Sequence, residues 1–174
     1  MRPRQTRSPS RAYTLIEVLV VVTVLGIAAA MVIPSMSQAS VLRVQGAIRT
    51  LVADIAIAQS DAIAYQKGRA IVFFNDPPGP RYVVCEVNGA TLDLAVDKIS
   101  EQRLGGEQFG FATFENINLP LNMIVIDELG GPVMAPDDPT PAPEGSIDIV
   151  DSTQRFRVNI EAYTGKVSVT SHPR

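Results

Sequence analysis

Cysteine, histidine and tryptophan are nearly missing from this chain, which holds one Cys, one His and no Trp in 174 residues. With Cys85 alone no intramolecular disulfide can form, even in an oxidising compartment. Cys85 sits in the run Tyr82-Val83-Val84-Cys85 and reads as a small buried hydrophobe. His172 is alone and near the end of the sequence, which argues against a His-based metal site or a Ser-His-Asp triad built within the chain. Basic residues after the first dozen positions are also scarce. Residues 1–12 hold Arg2, Arg4, Arg7 and Arg11 and no acid, so a net charge of −3 overall leaves −7 on the rest. A basic head on an acidic body points to two compartments or two fates.

A length of 174 residues allows one domain with one core plus an appended helix, and 46% hydrophobic with 19% charged residues fits a folded chain. The head is followed by a long apolar run. Residues 13–33 read YTLIEVLVVVTVLGIAAAMVI, with Glu17 as their one charge. As a helix they extend about 32 Å, enough for a hydrocarbon core of about 30 Å. Arginines before the run and none until Arg43 predict a cytoplasmic N-terminus and an external body. A cleaved signal peptide is the rival, with Ala28-Ala29-Ala30 as its cleavage site. Two features oppose it: the acid at the start of the run, and the helical pattern that continues beyond Pro34.

That continuation is amphipathic. Val41, Val44, Ile48, Leu51, Ile55, Ala58, Ala62 and Tyr65 recur in steps of three and four, with Arg43, Arg49, Asp54 and Asp61 off the stripe. Lys67-Gly68 supplies a stop. The pattern predicts one helix over residues 13–66, membrane-embedded first and packed on a domain afterwards. Pro34 removes a donor and predicts a kink or local melting.

Residues 11–21, Arg-Ala-Tyr-Thr-Leu-Ile-Glu-Val-Leu-Val-Val, closely resemble the prepilin cleavage and methylation motif of type IV pilin-like proteins. The resemblance implies that a prepilin peptidase cuts after Ala12 and that Tyr13 becomes the N-methylated first residue. Glu17 is then the fifth residue of the mature chain, and Pro34 matches the family's helix-breaking proline. Ala12 stands where glycine is usual, and Tyr13 where phenylalanine is usual. Independently of the family, a carboxylate at depth in a bilayer costs about 2.5–3.5 kcal/mol and needs a partner. Cleavage supplies an amine one turn away, on the same or a neighbouring chain. The alternative is a Glu17 that snorkels to the headgroups unpaired.

After Gly68 the periodicity becomes strand-like. Residues 70–74 and 82–87 are β-rich, Asn88-Gly89 predicts a hairpin into a strand over 91–95, and 109–114 and 123–127 are further strands. Residues 131–145, with five prolines, read as an extended surface loop. Phe156, Val158, Ile160 and Ala162 alternate with Arg155, Arg157, Asn159 and Glu161, and Thr164-Gly165 turns the chain into a last strand over 166–170. The expected fold class is α+β: a long N-terminal helix packed on a mainly antiparallel β-sheet domain, pilin-like in layout. Its parts are a basic leader (1–12), a transmembrane or filament-core helix (13–33), an amphipathic continuation (34–67) and a periplasmic β-rich domain (68–174).

The whole layout is similar to the GspH/FimT group of minor pseudopilins, on residues 51–58 leading into a strand and on the turn Thr164-Gly165-Lys166-Val167. This resemblance implies a minor pseudopilin of a type II secretion-like system, stored in the inner membrane and moved after cleavage into a periplasmic pseudopilus. Its partners are then the prepilin peptidase, other pseudopilins or pilins, and an inner-membrane assembly platform. The alternative is a minor type IV pilin of a pilus or DNA-uptake machine. DNA binding wants a basic patch, and Arg155, Arg157, Lys166 and Arg174 are offset by Asp148, Asp151 and Glu161. Gly105-Gly106-Glu107-Gln108-Phe109-Gly110 lacks nucleotide-binding spacing. Asp137, Asp138, Asp148 and Asp151 match no calcium loop and read as solvated acids. No catalytic set, metal or cofactor is expected.

Overall fold

The computed structural model describes residues 13–152 and 154–173, with the side chains of 31–40, 107 and 173 left outside the description. The chain forms two compact units, Met1–Gln38 and Ala39–Arg174. Helix α1 (Leu15–Tyr65) supplies the described part of the first and begins the second.

In the second unit, α1 buries Val44, Ala47, Ile48, Leu51, Ile55, Ala58 and Ala62. The expected stripe is there, with three changes. Val41 is only half-buried, Ala47 joins the stripe, and Tyr65 is exposed instead, with the Arg69 guanidinium 5.8 Å from its ring centre. The stop comes two residues before Gly68. Gln66 takes the left-handed conformation that ends a helix (φ 50°), and its side-chain amide donates to Ile63 O at 2.9 Å.

Two antiparallel sheets follow, where the pattern alone suggested one. The larger contains β1 (Arg69–Phe74), β2 (Arg81–Glu86), β3 (Lys98–Arg103), β5 (Met123–Ile126), β6 (Pro132–Ala135) and β7 (Asp138–Pro141), ordered β3-β2-β1-β5-β6-β7. The smaller contains β4 (Thr113–Asn118), β8 (Gly145–Val150), β9 (Gln154–Ile160) and β10 (Val167–Pro173), ordered β10-β9-β8-β4. One row of the larger sheet, including Ile71, Phe73, Tyr82 and Ile126, shares a core with the helix and with Ile147, Ile149, Phe156, Val158 and Ile160 of the smaller. The opposite row, Ala70, Val83, Cys85, Val125 and Val133, forms a second small core. Cys85 is fully buried there, and burial pushes its thiol pKa up.

Three expected elements are corrected. No strand forms at 91–95. The buried Asp97 gathers the loop instead, accepting from Asn88 Nδ2 and Asp93 N, both at 2.8 Å, and β2 pairs with β3. Asn88 comes first among the groups that hold the Asp97 carboxyl below its usual range. A side-chain hub thus outcompetes the two-residue turn. The strand expected at 109–114 is split into a helical turn α2 (Gly106–Phe109) and β4, with Phe109 buried near Gly46. The proline-rich stretch 131–145 is not a free loop, since it holds β6 and β7. Its prolines are tolerated because the hairpin lies at the sheet's edge, where missing donors cost little.

The late hairpin forms as its alternation predicts, with Phe156, Val158 and Ile160 buried. Its turn reaches α1: Gln59 Nε2 donates to Gly165 O at 3.2 Å. Gly165 has φ +62°, which favours glycine, and a Cβ there would lie 2.5 Å from Gln59 Nε2, so a larger residue would strain the backbone and displace the Gln59 side chain.

Candidate functional site

The N-terminal end of α1 is built as a cap. Thr14 precedes the first helical residue, and its Oγ1 accepts from Glu17 N at 3.3 Å. Its carbonyl accepts from Glu17 N at 3.1 Å and Val18 N at 3.2 Å. Thr14 and Glu17 therefore occupy the first and last places of the Thr-x-x-Glu signature of a helix start. A carboxylate in the first turn also faces the positive end of the helix dipole. The sequence reading missed this local role of Glu17, although the spacing that reveals it lies within the quoted motif.

Tyr13 stands just before the cap and is 79% exposed. Cleavage before it would leave an ammonium at the positive end of a helix, an unfavourable place that calls for a counter-charge. Ala12 lies outside the described residues. Pro34 sits in helical backbone within α1, and its side chain is outside the description.

From Leu15 the helix carries apolar side chains on every face, with Glu17 as the one charge of this stretch. Leu15, Ile16, Val18, Leu19, Val20, Val21, Val22, Val24, Leu25 and Ile27 are each more than half exposed. The one internal hydroxyl, Thr23, is satisfied by donating to Leu19 O at 2.8 Å. Water is a poor environment for such a cylinder, which needs lipid or other helices around it. Among the described residues no helix is long and apolar enough to cross a membrane. The apolar run with described side chains ends at Ala30, about 24 Å from its start. The expected span over 13–33 continues into residues whose side chains are outside the description.

Residues 7–33 match the prokaryotic N-terminal methylation motif. The match supports a type IV pilin-like protein with prepilin-type processing, handled by a prepilin peptidase and assembled with other pilins. It is also consistent with an inner-membrane origin and a periplasmic pilus. The match covers Ala12, Tyr13 and Glu17, and the described backbone places the last two at the capped helix end. No curated protein and no solved structure matches the chain.

The body's acids and bases are mostly occupied with each other. Asp148 receives Arg157 Nε at 2.7 Å and Nη2 at 2.9 Å, and that paired guanidinium holds its carboxyl below the usual range. Arg155 meets Glu115 at 2.5 Å, and Lys166 meets Glu161 at 3.3 Å. Asp151 Oδ1 accepts from Gln154 N, and Asp138 Oδ1 from Thr140 N. Asp137 and Asp138 sit on the larger sheet, Asp148 and Asp151 on or beside the smaller. Among the described residues no group of three or more His, Cys, Asp or Glu side chains could hold a metal. An open cleft of about 540 Å³ beside Gly68 is lined by Asp127, Glu128, Asp137 and Asp138. Its lining has no Ser, Thr, Cys, Lys or His side chain.

Proposed function

We propose that this chain is a minor pseudopilin, a structural subunit of a type II secretion-like pseudopilus that works by assembly and not by catalysis. The observation that carries this reading is the methylation motif on a capped helix, apolar on every side and unburied by its own chain. Such a helix is stored in a membrane and then exchanged, without meeting water, into a bundle of like helices. The leader 1–12 remains cytoplasmic until a prepilin peptidase cuts between Ala12 and Tyr13. Tyr13 is then N-methylated, Glu17 pairs with an amine in the filament, and the body stands in the periplasm. An assembly platform in the inner membrane draws the subunit out.

The helix continues through Ala28, Ala29 and Ala30 without a turn, which opposes a cut there by signal peptidase. The DNA-uptake alternative loses support from the late hairpin, where Arg155, Arg157 and Lys166 each face an acid. Intact-mass and N-terminal analysis of membrane fractions tests the processing. The expected mature chain begins at methylated Tyr13. A start near Met31 would refute prepilin processing. Crosslinking mass spectrometry in cells then identifies the machine: crosslinks to secretion pseudopilins support the reading, and crosslinks to pilus subunits alone overturn it.

A further inference from the structure

A sheet edge is a row of unpaired backbone groups, and folded proteins blunt such edges. Three of the four edges here are blunted. Strand β3 carries Lys98, Glu101 and Arg103, and its register with β2 shifts at Val84/Cys85. Strand β7 has Pro139 and Pro141 among its four residues. Strand β4 is bulged between Phe114 and Asn116, and Asn75 Nδ2 takes the carbonyl of Phe114 at 3.0 Å.

Strand β10 ends in Pro173, but its first five residues have none of these devices. It pairs with β9 over seven consecutive residues without a register shift, and among the described residues with no other strand. From Val167 to Ser171 it has no charge and no proline, and Ser168, Val169, Thr170, Ser171 and His172 are exposed. The direction of its backbone follows from the hairpin. Glu161 N donates to Lys166 O at 3.0 Å, which makes Ile160 and Val167 a non-hydrogen-bonded pair. Ser168, Thr170 and His172 therefore bond β9, while the N–H and C=O groups of Val167, Val169 and Ser171 point outward. Val169 lies opposite the fully buried Val158, on the core side of the sheet, yet is 44% exposed. The core row stops one strand short of cover.

We propose that β10 is an interface for a second copy of this chain, the two β10 strands pairing antiparallel about Val169. Backbone parity allows only pairings of odd with odd positions, and the twofold at Val169 is one of them. It sets Val169 against Val169, Val167 against Ser171, and Ser168 against Thr170. On the core side Val169 meets Val169 and each Val167 meets the small Ser171, on the outer side hydroxyl meets hydroxyl, and no charge between 167 and 171 opposes the match. A neutral edge of this kind selects its own sequence over a charged partner strand. The pairing extends the smaller sheet from four strands to eight across two chains and covers Val169. It is independent of the filament reading, since it concerns the body alone.

The test uses the full chain in cells. Ser168→Cys and Thr170→Cys chains, differently tagged, are expressed together and mildly oxidised. In the proposed register these positions are a non-hydrogen-bonded cross-strand pair, with Cα atoms about 4.5 Å apart and within disulfide reach. Cys85 is buried and stays out of the reaction. The expected result is a mixed disulfide dimer, with neither variant dimerising alone. Val169→Lys added to both chains sets two ammonium groups face to face and should remove the dimer. Val169→Thr, equally β-branched, should keep it, which separates charge repulsion from loss of folding. Absence of the mixed dimer, a Thr170→Cys dimer formed alone, or a disulfide to a different polypeptide would each overturn the proposal. N-terminal processing measured in the same samples reports separately on the pilin-like reading.

Discussion

Glu17 is the residue on which the assembly reading turns, and its replacement can be worked through in numbers. In the chain alone it sits at the third helical position, its backbone N–H held by Thr14. In a filament its carboxylate is to meet the Tyr13 ammonium of the same or a neighbouring chain. At about 4 Å and an effective dielectric of about 20, that pair is worth about 4 kcal/mol. Bringing the carboxylate to depth costs about 2.5–3.5 kcal/mol. Glu17→Ala gives up the first term and is relieved of the second, so assembly should weaken by about 1 kcal/mol per subunit, about fivefold. Glu17→Gln should behave alike, being polar but uncharged. Membrane insertion and cleavage should survive in both, because the span becomes more apolar and the scissile bond lies beyond Tyr13. Thr14→Ala is the control: it loses a cap worth about 1 kcal/mol, but equally in membrane and filament. The assay is the ratio of filament-incorporated to membrane-stored protein at matched expression. An unchanged ratio for both Glu17 variants would refute the pairing and leave a capping or snorkelling residue.

The body offers three further tests on a soluble fragment of residues 37–174. Tyr82, buried against α1, donates to Asp54 Oδ2 at 2.5 Å, so Tyr82→Phe should cost about 1–2 kcal/mol in urea unfolding. An additive double mutant with Asp54→Ala would show no coupling. Burial first, and then the bond and charge of Asp54, push the Tyr82 phenol well above its ordinary range. Its contribution is therefore complete below about pH 10 and lost as pH rises further, so Tyr82→Phe should flatten the alkaline limb of the stability curve. Asp148, held low by Arg157, contributes above about pH 4 and loses that contribution as pH falls, so Asp148→Asn should flatten the acid limb. Gly165→Ala should cost about 1–3 kcal/mol through a left-handed backbone and a clash with Gln59, more than Gln59→Ala. The reverse order in thermal melts would show that the close approach is not what fixes this turn.

Legibility in the sequence followed the range of the forces involved. The helix and its buried stripe were readable because a 3.6-residue period is written locally, and Val44, Ile48, Leu51 and Ile55 keep it over several turns. The late hairpin was readable for the same reason, with alternation over Phe156, Val158 and Ile160. What failed was decided by single side-chain contacts and by place in the sheet, neither of which a periodicity announces. Asp97 overrode the Asn88-Gly89 turn by collecting two donors from within the loop. Prolines 132, 139 and 141 signalled a loop, but the edge strand β7 accepts the last two and Pro132 is the first residue of β6. Asp54 looked solvent-facing because it lies off the apolar stripe, whereas Tyr82 reaches across from β2 to bond it. At the N-terminus the motif identified Tyr13 and Glu17 at once. It did not announce that Thr14 and Glu17 also start the helix, because the same residues serve two purposes.

That capped start bears on the two settings that the proposed function requires of one chain. The body closes a core from helix and two sheets. The first unit cannot do so, since its described apolar side chains face outward on every side. Its helical backbone is nevertheless secured, with Thr14 satisfying the exposed start and Thr23 turned back on Leu19. A helix with its polar groups already satisfied can leave lipid for a bundle without breaking hydrogen bonds, so the exchange is decided by side-chain packing and by charge. Packing along a run of Val, Leu and Ala is nearly indifferent to sliding, because each turn presents much the same surface as the next. The carboxylate at Glu17 and the amine freed at Tyr13 are the only charges expected there, and they sit at one end. In the proposed filament that pair would fix the register the apolar run leaves open, at a cost that only the assembled state offsets.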